Sequence, residues 1–240
     1  MSRAALVTGG SSGIGLAIAR ALGEDGYRLT ISSRRPEKLE AAAQQLRDDG
    51  LEVEAVPANM ADEEEIRKLV QGHRERCGRL DVLVNNAGLG IGGAVAEAET
   101  KKLDLQLNVN LRAVYLLARE SIPLLKEAGA EHGKALMVNT ASYAGKHGQG
   151  WLAAYSATKF GVVGLSQALH KELSRDGVQV TALCPGFVAT PMTDWIEGQV
   201  PKEEMIQPDD IAESIRFLLR TSQHCMVPEI QFVRPGDSEL

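Results

Sequence analysis

Short runs of consecutive apolar residues alternate along this chain with longer stretches in which apolar positions return every three or four residues. The short runs predict strands at Ala4–Val7, Arg28–Ser32, Glu52–Val56, Val82–Val84, Ala135–Asn139, Val178–Leu183 and Glu229–Val233. The periodic stretches predict helices at Ile14–Gly23, Pro36–Asp48, Glu63–Arg76, Thr100–Glu127, Ala153–Arg175 and Asp209–Arg220. Strands that are apolar throughout suit a parallel sheet covered on both faces. Seven strands alternating with helices therefore predict an α/β fold: a Rossmann-like, doubly wound parallel sheet with right-handed crossovers. No repeat or linker interrupts the pattern, so residues 1–240 are expected to form one domain. The long connection Gly186–Pro208, with Pro191, Gly198, Pro201 and Pro208, predicts a substrate loop over about 187–208.

Composition narrows the function classes. A net charge of −6 leaves no basic field for nucleic acid or an anionic membrane. Apolar runs stop well short of a membrane span. A strand begins at Ala4, which leaves no room for a signal peptide. Cys77, Cys184 and Cys225 are scattered without metal-ligand spacing and read as reduced thiols in a cytoplasmic protein, with no metal site.

Candidate chemistry gathers in three places. Thr8-Gly9-Gly10-Ser11-Ser12-Gly13-Ile14-Gly15 joins the first strand to the first helix. Glycine there permits a tight turn and lets backbone approach a pyrophosphate at a helix N-terminus. The second strand ends Ser32-Ser33-Arg34-Arg35, with no acidic residue to receive a ribose hydroxyl. The two arginines either cap a solvated strand end or face the 2′-phosphate of NADP. Finally, Tyr155 and Lys159 are four residues apart on a predicted helix, with Ser142 thirteen residues upstream of the tyrosine. A cation held near a phenol lowers its pKa, so this pair is expected to poise Tyr155 as an acid/base near working pH.

Together these pieces resemble the short-chain dehydrogenase/reductase family over nearly the whole chain. The resemblance rests on Thr8–Gly15, Asn85-Asn86-Ala87-Gly88, Asn110, Ser142, Tyr155 with Lys159, Pro185-Gly186 and Thr190. It implies hydride transfer between NADP(H), with NAD(H) possible, and a carbonyl or secondary alcohol. Asn110, Ser142, Tyr155 and Lys159 would be catalytic. Gly9, Ser11, Ser12, Gly13, Ile14, Gly15, Arg34, Arg35, Asn59, Asn86, Ala87, Gly88, Tyr155, Lys159, Pro185, Gly186, Val188 and Thr190 would contact the cofactor. In this resemblance Ser33 stands where an NAD-selective member carries aspartate, while Asn59 and Ala141 depart from the family's frequent residues.

For substrate, Ser142, Tyr143, Gln149, Tyr155, Phe187 and Trp195 are the first candidates, with Leu89, Gly90, Ile91, Met192 and Met205 after them. Their character suits a small or medium, largely uncharged molecule. A 3-oxoacyl thioester reductase and a catalytically silent cofactor-binding regulator are the alternatives. Gly161 and Gly164, small residues on the tyrosine's helix, are expected to admit another subunit and make a homo-oligomeric dimer or tetramer.

Overall fold

The computed structural model describes residues 2–196 and 198–235; Met1, Glu197 and 236–240 lie outside. Seven parallel strands order themselves β3-β2-β1-β4-β5-β6-β7. They are β1 (Ala4–Thr8), β2 (Arg28–Ser32), β3 (Val53–Ala55), β4 (Val82–Asn85), β5 (Ala135–Thr140), β6 (Val178–Pro185) and β7 (Glu229–Phe232). Every residue of β1, β4, β5 and β6 is buried, as a sheet covered on both faces requires. One covering layer contains α1 (Gly13–Glu24), α2 (Pro36–Asp48) and α7 (Pro208–Arg220), which pack Ile18, Leu39 and Ile215 among the strands' apolar side chains. The other contains α3 (Glu63–Cys77), α5 (Ala113–His132) and α6 (Ala153–Leu173), contributing Leu69, Leu117 and Leu169.

The strand order reverses between β1 and β4, and a crevice opens there beyond the strands' C-terminal ends. Register puts the chemistry on that edge. Thr8 lies opposite Ser32, Asn85 opposite Asn139, and Thr140 opposite Leu183.

Two expected elements differ in detail. The helix expected over Thr100–Glu127 is α4 (Thr100–Leu107), a π-type turn at Asn108–Arg112, and α5. The wide turn holds buried Asn110, and such π-type turns inside helices are frequent at functional sites. The substrate-loop segment has a small apolar cluster of its own, with Ile196, Val200 and Met205 buried against Phe187 and Ala189. A single bridge, Val188 to Ile206, ties its two ends. Among the described residues, no helix is long and apolar enough to cross a membrane.

Candidate active site

The Gly-rich turn is shaped by sterics before chemistry. Gly9 and Gly13 adopt φ of 68° and 54°, where a side chain is strained, and a Cβ on Gly9 would lie 2.7 Å from Asn86 Nδ2. Gly15 has a packing task. It is buried, and a Cβ there would meet the Gly9 carbonyl at 2.4 Å, so it lets helix and loop close on each other. Ser12 stands at the N-cap of α1 with no side-chain capping bond, and the first turn carries no acidic residue. The helix N-terminus thus keeps its amides and positive end for an anion.

Asn86 locks this turn to β4's end. Its N–H and that of Ala87 donate to Thr8 Oγ1 at 3.0 and 3.1 Å, and its Nδ2 donates to the Thr8 carbonyl at 3.2 Å. The resulting groove, about 480 Å³, is lined by Gly9, Ser11, Ser12, Gly13, Ile14, Asn86, Ala87, Gly88, Pro185, Gly186, Val188 and Thr190, with Tyr155 and Lys159 at its far end. Asn59 is outside it. Its Oδ1 accepts from Ala61 N at 3.1 Å and its N–H goes to Glu65, so its side chain shapes the turn before α3. Arg34 and Arg35 are exposed beyond the groove's lining, where neither is tied down by an ion pair among the described residues. Beside them the Ser33 hydroxyl is buried and has no partner among the described residues. An orphaned hydroxyl followed in sequence by two unpaired arginines, together with an uncapped helix N-terminus, fits a phosphorylated nucleotide.

At the far end, α6 brings Tyr155 and Lys159 onto one face. The Tyr155 phenol is hydrogen-bonded to Ser142. Ser142 Oγ also accepts from Ala144 N at 3.2 Å and donates weakly to the Pro185 carbonyl at 3.4 Å, which fixes its rotamer. Lys159 is buried, and its Nζ donates to the Thr140 carbonyl at 2.8 Å. Asn110 grips the backbone of Leu89 from both sides, accepting from its N–H at 2.9 Å and donating to its carbonyl at 2.8 Å. Its Nδ2 also reaches Thr158 Oγ1 at 3.2 Å.

The electrostatics depart from the expectation. Burial holds the Lys159 ammonium down at about 8, because a charge removed from water is costly. Burial likewise pushes the Tyr155 phenol above its ordinary value, and the hydrogen bond shared with Ser142 offsets this only in part. The protein by itself does not depress this tyrosine; it keeps the phenol protonated.

Ser142 and Tyr155 form a wall shared between the groove and a second cavity of about 450 Å³. The expected residues Gly90, Ile91, Tyr143, Gln149, Phe187, Met192 and Trp195 line it, and no charged side chain does so among the described residues. Leu89 faces the groove instead, and Met205 is buried beneath the loop in its cluster with Ile196. His147 stacks on Tyr143, ring centroids 4.6 Å apart, outside the cavity's lining. Sequence reading missed Trp151, Leu152, Gly92 and Thr193, which also line it. The one signal was a tryptophan beside glycines in the loop between Ser142 and Tyr155.

Comparison with known proteins agrees with this geometry. A ketoacyl-reductase-named protein of Streptomyces coelicolor is 41% identical over 239 residues, covering 91% of this chain and 90% of its own. The crystal structure of an actinorhodin polyketide ketoreductase variant with NADPH superposes with a TM-score of 0.87 at 37% identity, covering 96% of this chain and 95% of the other. The 3-ketoacyl-(acyl-carrier-protein) reductase from Brucella melitensis, complexed with NADH, gives 0.87 at 31% identity, with 98% and 97% covered. The family model for short chain dehydrogenase matches residues 3–200. This protein is an oxidoreductase of the short-chain dehydrogenase family.

Proposed function

We propose that this enzyme reduces the ketone of a neutral, largely apolar substrate with NADPH, Tyr155 supplying the proton. The observation that carries the reading is the shared wall: Ser142 and Tyr155 stand where the nucleotide groove meets an apolar cavity. A reduced nicotinamide, when bound, supplies the hydride that reaches the carbonyl carbon. Ser142 donates a hydrogen bond to the carbonyl oxygen and orients it, while Tyr155 gives that oxygen its phenolic proton as the alcohol forms. A phenol held above its ordinary pKa carries its proton at neutral pH. In this reading Lys159, titrating near 8 and bonded to the Thr140 carbonyl, returns a proton to the tyrosine and holds ribose hydroxyls. Asn110 acts through Leu89, holding the Gly88–Gly90 backbone that borders both cavities.

The free helix N-terminus, the orphaned Ser33 hydroxyl and the unpaired Arg34 support NADPH over NADH. Related structures hold both cofactors. A 3-oxoacyl thioester is the second reading, favoured by the ketoacyl reductases among the relatives. We also read the chain as a homo-oligomer. Here Gly161 serves its own chain, since a Cβ there would strike Leu111 at 2.9 Å; Tyr115, Phe160 and Gly164 are the exposed residues left to meet a partner. Three free cysteines support a reducing, cytoplasmic setting. The test is oxidation of NADPH, monitored by absorbance, with neutral ketones and an acetoacetyl thioester. Turnover of none of them with either NADPH or NADH would end this reading.

A further inference from the structure

A second apolar chamber of about 370 Å³ adjoins the catalytic cavity, walled by Ile91, Val95, Ala98, Leu103, Trp151 and Ala154. Ile91, Gly92 and Trp151 belong to both chambers, so the indole of Trp151 is the partition between them. The ring lies on Gly92 so closely that a Cβ there would sit 2.1 Å from its nearest carbon. Its backbone is pinned. Trp151 is the one non-glycine residue at positive φ among those described, at 66°, and its carbonyl accepts from Gly93 N at 2.8 Å. The facing wall is pinned as well, because buried Gln106 accepts from Ile91 N at 3.1 Å. The indole itself is not buried. Trp151 is 59% exposed, and beyond its seat on Gly92 it faces the tilted ring of Trp195, 56% exposed, at 5.8 Å. A fixed frame around a loosely held ring is the arrangement of a hinged door.

We propose that Trp151 sets how long a ketone this enzyme accepts: with its ring on Gly92 the cavity holds a medium-sized substrate, and with the ring swung aside an apolar chain extends past Gly92 into the second chamber. This rests on the ketone-reduction reading and names the part of the substrate that the second chamber takes, an uncharged alkyl tail. Of the charged side chains at the chamber's rim, Glu99 pairs with Lys102 at 2.6 Å and with neighbouring Lys101 at 2.7 Å, while Glu97 stays exposed to water; the rest of the wall is mostly apolar, which suits an uncharged tail.

The test compares kcat/KM for straight-chain methyl ketones from butanone to dodecanone. Trp151→Ala joins the chambers and is expected to raise the dodecanone-to-butanone ratio by about tenfold or more, the scale that added methylenes carry in an apolar pocket. Gly92→Ala displaces the ring without altering a polar group, and it should change the same ratio in the wild-type background but not in Trp151→Ala. An unchanged or lowered ratio in Trp151→Ala, or additive effects in the double variant, overturns the proposal. The chain has two tryptophans, Trp151 and Trp195, so emission from a Trp195→Phe variant reports Trp151 alone. Dodecanone should shift that emission and butanone should not; equal responses count against the partition. This binding readout remains valid if no ketone is turned over, which separates failure of the partition from failure of the ketone-reduction reading.

Discussion

The ammonium of Lys159 lies 5.6 Å from the centroid of the Tyr155 ring, and its hydrogen bond goes to the Thr140 carbonyl. The two residues share a helix face, but burial dominates both. It lowers the lysine to about 8 and raises the tyrosine, because each loses the water that would solvate its charged form. Tyr155 therefore enters the reaction as an acid with its proton in place. Tyr155→Phe keeps the ring and removes that proton. Turnover should fall at least ~100-fold, the lower end for general acid catalysis, with nucleotide affinity largely kept. Steady-state kinetics beside a nucleotide titration checks this, and a variant that stays active rules out Tyr155 as the donor.

A buried lysine that is hard to charge should cost stability. Its folded pKa is depressed, so the unfolded chain binds more protons between about pH 8 and the ordinary lysine value. The penalty is complete below about 8 and disappears as pH rises through that window. Lys159→Met should raise stability at pH 7 by on the order of 1–3 kcal/mol while abolishing most activity. The loss of the bond to Thr140 sets the lower end. Denaturant unfolding of both proteins at pH 7 and pH 10 decides it, and a variant less stable than wild type at pH 7 contradicts it.

His73 gives an opposite handle, at acid pH. It is buried on α3, its Nε2 3.0 Å from the Arg79 carbonyl and its Nδ1 2.7 Å from Thr30 Oγ1. The carbonyl only accepts, so Nε2 carries the proton and Nδ1 accepts from the threonine. Burial holds this neutral ring down at about 4. The unfolded histidine takes up a proton first, so its contribution is present above about pH 6.5 and drains away toward pH 4. The loss should approach about 3 kcal/mol across that window. His73→Gln should flatten this part of the stability-against-pH curve, although the variant starts lower. An equal slope in both proteins would assign the acid sensitivity to other groups.

Asn110 is worth testing for what it holds. Asn110→Ala leaves the half-buried N–H and carbonyl of Leu89 without their side-chain partners, which should cost about 1 kcal/mol, the scale of ordinary hydrogen bonds. Because Gly88 and Gly90 flank that residue, KM for both substrates should rise along with the fall in stability. Thermal unfolding combined with kinetics tests both halves, and normal stability would show that the clamp is slack.

Cofactor choice tests the end of β2. Arg34→Ala should lower kcat/KM for NADPH by about tenfold or more and leave NADH nearly unchanged, the scale of one charge-assisted contact. The outcome to exclude is an unaltered preference, or a wild type that favours NADH.

Much of this was readable along the chain, for a local reason. Strand and helix periodicities arise from backbone geometry, so apolar spacing located seven strands and most helix limits, with Arg28–Ser32 and Pro36–Asp48 found to the residue. Tyr155 and Lys159 were placed together by one helix turn, and the glycine turn by its junction between β1 and α1. Packing between distant segments was not readable. Asn59 serves its own turn, Gly15 and Gly161 serve close packing, and Met205 serves a loop cluster, although each sits in a stretch that suggested binding. The raised phenol of Tyr155 belongs to the same class, since burial is set by everything packed around it and no spacing along the chain expresses that. Trp151 is the sharpest case. Its sequence neighbours mark only a loop, and its position as a wall between two chambers exists only because the fold lays its ring on Gly92, fifty-nine residues away.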